Sequence, residues 1–405
     1  HRTAEPMNPA SVMKLVTTAA ALDLLGTSYR WHTRLWTDGT VQDGTLNGNV
    51  YLQGRGDTKL VVERLWLLMR ELQHAGIRRI GGDIVLDHSA FDVPPVDPAS
   101  FDGDPLRPYN ARPDALLVNF KTFTLKITPD EAQKQAYVGL EPPLEGVTLP
   151  AALPLAEGKC APWLNKLAAL SLKDRNLIVP TEPYPASCGI QQLTLAHPAP
   201  EQFAARAVAG MWKALGGELA GSIREGTVPE AVRGRRPLAD SASPTASEIV
   251  HDINKFSNNV MAQQVFLTLG MEHSGVGTLE SGKQAVTQWW QHRLGDTPMP
   301  DVQNGSGLSR EGRVSASSLG AMLPIAGVDG TLRRTHTAFK GNAHLKTGTL
   351  KDASALAGYV LSETGRRYVM VAMANGSNAQ SARPAFQALM EWVITQPVAS
   401  SGSHS

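Results

Sequence analysis

Apolar positions recur at helical spacing through Val12, Leu15, Val16, Ala19, Leu22 and Leu25. This predicts a helix that stops at Gly26. Asn8-Pro9 is its start signal, because Asn can cap a helix and Pro is accepted in the first turn. From Trp31 to Tyr51 the pattern changes to alternation interrupted by turn residues and reads as strands. Val62 to Gly76 returns to the spacing of an amphipathic helix. Runs at Leu116 to Ile127, Ala136 to Thr148, Leu177 to Val179 and Gln191 to Leu195 read as a small β-rich module. The Pro-rich stretches Pro94 to Pro108 and Pro142 to Pro154 read as linkers or long loops. A helix over Glu201 to Leu215 then returns the chain toward Gly234. Further on, a polar stretch, Ser247 to Lys255, precedes the apolar-periodic Val260, Met261, Gln264, Val265 and Leu267. Near the end, Ala343 to Leu350, Ser354 to Leu361 and Tyr368 to Ala374 are separated by short turn signals, the pattern of antiparallel strands. No internal repeat is visible.

Length and composition add limits to this pattern. At 405 residues the chain exceeds what one hydrophobic core usually serves, so two or three domains are expected. Hydrophobic residues make up 42% and charged residues 19%, as in ordinary globular proteins. Lys and Arg (38) balance Asp and Glu (37) to a net charge of +1, which asks for neither nucleic acid nor a membrane surface. Arg233, Arg235 and Arg236 read as a solvated domain junction. No apolar run approaches the roughly 20 residues of a spanning helix. Neither CxxC nor HExxH occurs and the 11 His are scattered, so no metal site or cofactor is expected. Arg55-Gly56-Asp57 is the adhesion tripeptide, but turns of this sequence are common and integrin-like binding is not the favoured reading.

Three short strings carry the chemistry: Ser11-Val12-Met13-Lys14, Ser257-Asn258-Asn259 and Lys346-Thr347-Gly348-Thr349. Ser11 falls in the first helical turn, where unpaired N–H groups and the positive helix end favour a developing negative charge. Lys14, three residues on, shares its face. Lys14 can act as a base only if the helix end and a second cation lower its pKa, and Lys346 is a candidate for that cation. Ser257 and Asn259 fall at a loop-to-helix junction, where short polar side chains are well placed to hydrogen-bond. Lys346 with the hydroxyls of Thr347 and Thr349 suits a terminal carboxylate. Gly348 weakens a strand interior unless something approaches the backbone closely, and a substrate strand is such a thing. Each string also has a plain reading: an amphipathic helix with a solvated Lys, helix capping by Ser257 or Asn258, and a turn-flanked strand with an exposed Lys. A chance SxxK arises about once in a chain of this length. The ordered triplet is far more specific, because SxxK, SxN and KTG together are a signature of penicillin-binding proteins and class A β-lactamases.

Matching text extends through Asn8-Pro9-Ala10-Ser11, Gly81-Gly82-Asp83-Ile84-Val85-Leu86-Asp87, Tyr109-Asn110-Ala111, Asn304-Gly305-Ser306-Gly307-Leu308-Ser309-Arg310, Gly327-Val328-Asp329-Gly330-Thr331-Leu332 and Gly358-Tyr359-Val360. On these residues the chain resembles the low-molecular-mass class C penicillin-binding proteins, the D-alanyl-D-alanine carboxypeptidase/endopeptidases of bacterial cell-wall metabolism. Ser257 lies 246 positions after Ser11, and Lys346 lies 89 after Ser257. Class A β-lactamases place the first two motifs much closer, so the long gap holds inserted structure.

The resemblance implies an α/β serine transpeptidase/β-lactamase-like domain, an antiparallel sheet flanked by helices, formed by residues 1–34 and 238–396. It implies two nested inserts, one of 35–112 and 196–237 and within it one of 113–195, and leaves 397–405 as a disordered tail. It implies an acyl-enzyme on Ser11 with Lys14 as base and an oxyanion hole of the Ser11 and Thr349 N–H groups. Ser257 would relay a proton, Asn259 would orient Lys14 and the substrate amide, and Lys346 would hold Ser257 and the substrate carboxylate. Residues matching Asp104, Tyr109, Leu308, Arg310 and Leu350 line a pocket for a diaminopimelate-type side chain in relatives. Here Phe101-Asp102-Gly103-Asp104-Pro105-Leu106-Arg107 lacks the Trp usual nearby, and Asp104 also reads as a turn cap. The implied partners are peptidoglycan peptides and β-lactams. The implied location is the periplasm; relatives carry a strand before the first helix, and its absence close upstream of Ser11 reads as processing or trimming, with no secretory signal in the chain. In such an exported protein Cys160 and Cys188 read as a disulfide, with two buried free thiols as the other reading. A β-lactamase would need a further base to position water, and the long insert argues against it. A non-catalytic penicillin-binding sensor would be expected to have lost a motif residue, and none is missing.

Overall fold

The computed structural model describes residues 1–161, 182–326 and 342–396. The expected strand at Leu177 to Val179, the text Gly327 to Leu332 and the expected tail lie outside the described residues. The chain divides into two compact units, one of His1–Arg30, Phe91–Val93 and Pro244–Ser405 and the other of Trp31–Ala90 and Pro94–Ser243. Mixed helices and sheets make the whole an α/β fold.

In the first unit, the strands Ala343–Leu350, Ala353–Leu361 and Arg367–Asn375 form an antiparallel sheet in that order. The pattern of apolar runs and turn residues had predicted these strands to within a few residues. Lys346 sits opposite Ala357 and Thr349 opposite Ser354. Leu345, Leu356, Val360 and Met370 pack with Met390, Val393 and Ile394 of the helix Arg383–Ile394, which fixes that helix to the sheet. The helix Lys14–Leu24 buries Lys14 through Ala21, and in Asn259–Ser274 every residue from Asn259 to Met271 is buried. Both are thus interior helices, although they also bury polar side chains such as Thr17, Gln264 and Thr268.

Two local expectations change. Ser11 lies in a 3-10 turn, Ala10–Met13, and the α-helix begins only at Lys14. Ala10 adopts φ 46°, the left-handed region that a residue with a Cβ rarely enters. The polar stretch before Ser257 is itself a helix, Ala246–Phe256, begun by a capping box of Thr245 and Glu248. Ile249, Val250 and Ile253 supply its buried face, a stripe too thin to stand out among polar neighbours. Ser257 is therefore a helix-to-helix junction with φ 54°, and Asn258 caps the next helix by accepting from Met261 N at 3.0 Å.

The second unit contains three sheets. One orders Ile223–Glu225, Ile84–Asp87, Val50–Gln53, His32–Thr37 and Ala239–Ala242. Another orders Glu218–Leu219, Arg79–Ile80, Thr45–Asn47 and Thr40–Gln42. The third orders Tyr184–Pro185, Ala152–Ala156, Gln135–Glu141, Thr122–Asp130 and Gln191–Ala196. Ala152–Ala156 corrects part of the loop expected over Pro142 to Pro154. It holds a single proline, Pro154, which sits opposite Gln135 in the first of its three pairings with the neighbouring strand. The helices Val62–His74 and Phe203–Ala214 contribute Leu65, Leu68, Leu72, Phe203, Val208 and Met211 to the core they share with Phe123 and Leu125. Asp57 is 1% exposed and bound to Arg64 at 2.6 Å, so the Arg-Gly-Asp triplet, although its Arg55 is exposed, cannot present its carboxylate to a partner.

Cys160 and Cys188 form a disulfide across a sequence separation of 28. Replacing both with Ser is expected to destabilise the second unit by about 3 to 4 kcal/mol, the loop-entropy value for that separation. A urea midpoint unchanged from that of the oxidised protein would remove the bridge from the account of stability.

Candidate active site

The three strings converge within the first unit. Both lysines have no exposed surface, whereas Ser11 and Ser257 remain half-buried. Lys14 Nζ lies 2.9 Å from Ser11 Oγ, 2.6 Å from Asn259 Oδ1 and 2.7 Å from the Ser306 carbonyl oxygen. These are three acceptors for the three hydrogens of an ammonium. A neutral amine has two hydrogens and one lone pair, so one contact must reverse. The carbonyl and the amide oxygen cannot donate. The Ser11 hydroxyl can, and loss of a proton from Lys14 turns that hydroxyl toward the amine, the geometry a general base requires.

Electrostatics favour the neutral form. Burial pushes the Lys14 pKa well below its ordinary value, and the nearby Lys346 charge pushes in the same direction. The expected causes were the helix end and Lys346; complete burial is the larger one, and sequence alone did not reveal it. Lys346 is lowered to about 7, also by burial. Its Nζ donates to Ser257 Oγ at 2.8 Å and to the Thr347 carbonyl at 2.8 Å. The site thus holds two Ser–Lys pairs, and Asn259 bonds to the first.

Close backbone approach sets this arrangement. A Cβ on Gly348 would fall 2.4 Å from Pro9 O and 2.9 Å from Ser11 N. What approaches that strand in this structure is the turn carrying Ser11, which supplies a reason for Gly348 that does not depend on a substrate strand. Gly307, at φ +74°, would meet Ala10 O at 1.9 Å with a Cβ. Asn8 accepts from Ala10 N at 2.9 Å and donates to Ser309 O at 2.9 Å, while Asn375 accepts from Asn8 N at 2.7 Å. Asn304 accepts from Ser306 N at 3.1 Å and donates to Leu308 O at 2.9 Å, and Thr17 donates to Gly305 O at 2.7 Å. The segment 304–310 therefore delivers the Ser306 carbonyl to Lys14. Its Asn-Gly-Ser-Gly text was legible as a match, but no role for Ser306 could be read, because a backbone carbonyl leaves no mark in a sequence.

The remaining candidates separate by unit. Thr347, Thr349 and Leu350 lie on the Lys346 strand, and the Leu350 carbonyl accepts from Gln380 Nε2 at 2.7 Å. Leu308 and Arg310 belong to the 304–310 segment of the same unit. Asp104 and Tyr109 belong to the second unit, where Asp104 pairs with Arg107 at 2.7 Å and accepts from Leu106 N at 3.2 Å. Tyr109 donates to Asp102 at 2.6 Å, and Asn110 donates to the same carboxylate at 2.8 Å. Asp104 thus closes a turn in this structure. Among the described residues no group of three or more His, Cys, Asp or Glu side chains is placed to hold a metal ion.

Comparison with known proteins gives the same assignment. The family model of D-Ala-D-Ala carboxypeptidase 3 (S13) matches residues 1–396. The chain belongs to that family. It is 30% identical over 396 residues to a D-alanyl-D-alanine carboxypeptidase of Actinomadura sp. strain R39, covering 88% of this chain and 71% of the relative. It is 25% identical over 407 residues to D-alanyl-D-alanine carboxypeptidase DacB of Haemophilus influenzae, covering 91% and 81%. The fold is similar to that of crystalline penicillin binding protein 4 from Haemophilus influenzae, with a TM-score of 0.73 at 22% identity over 96% of this chain and 92% of that one. Membership in the S13 family makes the chain a serine-type hydrolase.

Two outcomes test the geometry. Lys346→Met removes the positive charge beside Lys14, so the Lys14 pKa rises and the acid limb of the acylation pH profile moves to higher pH; an unmoved limb would separate the two lysines electrostatically. Gly348→Ala forces the strand away from the Ser11 turn, and a displacement of about 1 Å is expected to slow acylation roughly 100-fold. Unchanged acylation with an intact fold would show that the close approach has no catalytic consequence.

Proposed function

We propose that the chain is a serine D-Ala-D-Ala carboxypeptidase and DD-endopeptidase that cleaves peptidoglycan stem peptides and cross-links, and that β-lactams acylate the same serine. The observation that carries this reading is the set of three acceptors around Lys14, of which Ser11 alone can reverse. Neutral Lys14 takes the Ser11 proton as Oγ attacks the carbonyl of the penultimate D-Ala. The Ser11 and Thr349 N–H groups stabilise the oxyanion. The scissile C–N bond breaks as Ser257, held by Lys346, gives its proton to the departing amine and regains one from the Lys14 ammonium, which leaves Lys14 neutral again. Water then attacks the ester as Lys14 takes its proton, and that proton passes to Ser11 Oγ as the acyl C–O bond breaks, releasing the shortened peptide and restoring Ser11. Asn259 orients Lys14 and the substrate amide.

The names of the relatives support the substrate class, and a β-lactam complex of penicillin binding protein 4 from Haemophilus influenzae supports acylation by such drugs. Thr347, Gly348 and Thr349 flank the carboxylate, with Leu350 and Leu308 beside the peptide. Arg310 is assigned to side-chain recognition on charge, as a guanidinium for a carboxylate. Peptidoglycan as substrate supports action in the periplasm. Among the described residues no helix is long and apolar enough to cross a membrane. For the second unit the reading remains two nested domains, 35–112 with 196–237 and 113–195, supported by the separate sheet of Thr122–Asp130 and its neighbours.

Incubation with benzylpenicillin, followed by intact mass over time, tests the assignment. A persistent one-to-one adduct absent from Ser11→Ala is expected. Rapid drug loss without an adduct would identify a β-lactamase, and neither adduct nor drug loss would overturn the acyl-enzyme reading.

A further inference from the structure

The hydroxyl of Thr349, exposed at the end of the Lys346 strand, accepts from Arg383 Nη2 at 3.4 Å. Neither charge nor spacing in the sequence singled out Arg383, which is the first residue of the helix Arg383–Ile394. Several contacts fix where it starts. Gln380 donates through Nε2 to both Leu350 O at 2.7 Å and Ala353 O at 3.0 Å, tying the turn before Arg383 to the hairpin that follows Thr349. Gly376 N donates to Asp352 O at 2.9 Å, and Ala379 N to Gly376 O at 3.0 Å. At the far end, Met390, Val393 and Ile394 anchor the helix in the core under the sheet. The backbone that carries Arg383 is thus held against the strand from both ends.

Its side chain, in contrast, is solvent-exposed and makes no ion pair with an acidic side chain among the described residues. The contact to Thr349 is long for a hydrogen bond and engages one of five N–H donors. A carboxylate accepting from the Thr349 hydroxyl would lie within reach of the remaining donors, in the planar fork that suits two oxygens. Both motif lysines are buried, so neither presents an exposed charge to a carboxylate. Lys346 is lowered to about 7 by that burial, and its Nζ is committed to Ser257 and the Thr347 carbonyl. A guanidinium stays charged throughout the working pH range.

We propose that Arg383 is a specificity-determining residue of this site, binding together with Thr349 the α-carboxylate of the residue that leaves. This rests on the peptidase reading above and adds a group outside the three motifs. It gives the enzyme a fixed charge for substrate selection while Lys346 serves Ser257.

The test compares wild type, Arg383→Gln and Arg383→Lys on two peptides that differ only at the C terminus, D-Ala-D-Ala with a free carboxylate and the same peptide as its amide. Arg383→Gln is expected to lose roughly tenfold in kcat/KM on the free acid, mainly through KM, with the amide unchanged. Arg383→Lys should recover part of the loss. A second readout needs no turnover of the amide: kcat/KM on the free acid should fall with added salt in wild type and less steeply in Arg383→Gln. Equal losses on both peptides would make Arg383 structural, and an unchanged preference with an unchanged salt slope would overturn the proposal alone. If wild type cleaves neither peptide, the peptidase reading fails and takes this assignment with it.

Discussion

Two lysine ammoniums are buried within one small pocket, and most of the catalytic unit is arranged to tolerate this. An isolated charge taken out of water is expensive, and two of like sign raise the cost further. The chain responds in two ways. Each Nζ is given oxygen partners, three for Lys14 and two for Lys346, so that the charged forms are not left unsolvated. Both pKa values also fall, because burial penalises the charged forms. The penalty that would make the pair a liability in a structural core is also what favours the neutral amine of Lys14.

Satisfying those amines requires backbone at very short range. A carbonyl must reach Lys14 from the segment 304–310, and the Lys346 strand must lie against the turn that carries Ser11. Gly307 and Gly348 permit both approaches because a Cβ at either position would collide with backbone atoms, which cannot rotate away as a side chain can. Ala10 and Ser257 occupy the left-handed region on either side of the pocket. Such strain persists only where surrounding contacts over-determine it. Asn8, Asn375 and Asn304 supply contacts of that kind from separate parts of the chain.

The hydrolase is consequently assembled from both ends of the sequence, with Trp31–Ala90 and Pro94–Ser243 forming a compact unit of their own between them. That unit carries the disulfide and buries Asp57, and its sheets close on an apolar core. None of the five residues placed in the two Ser–Lys pairs and Asn259 comes from it. The two Ser–Lys pairs and Asn259 therefore lie wholly in the first unit.

Legibility in the sequence followed the range of the interaction. The strands Ala343–Leu350, Ala353–Leu361 and Arg367–Asn375 were readable because alternation and turn residues are local signals. The ordered strings at Ser11, Ser257 and Lys346 were readable because each groups its chemistry within four residues. The helix Ala246–Phe256 was missed because three buried aliphatic residues among polar ones make a faint stripe. The 3-10 turn at Ser11 was missed because Asn8 and Gly348, not local propensity, hold it. By itself the sequence determined which candidate groups the chain carries and in what order. Tertiary structure decided that both lysines are buried, that Ser306 contributes a carbonyl and that Arg383 reaches Thr349. Those depend on desolvation and on groups brought together from 34 to 292 positions apart, and neither has a residue-type signature.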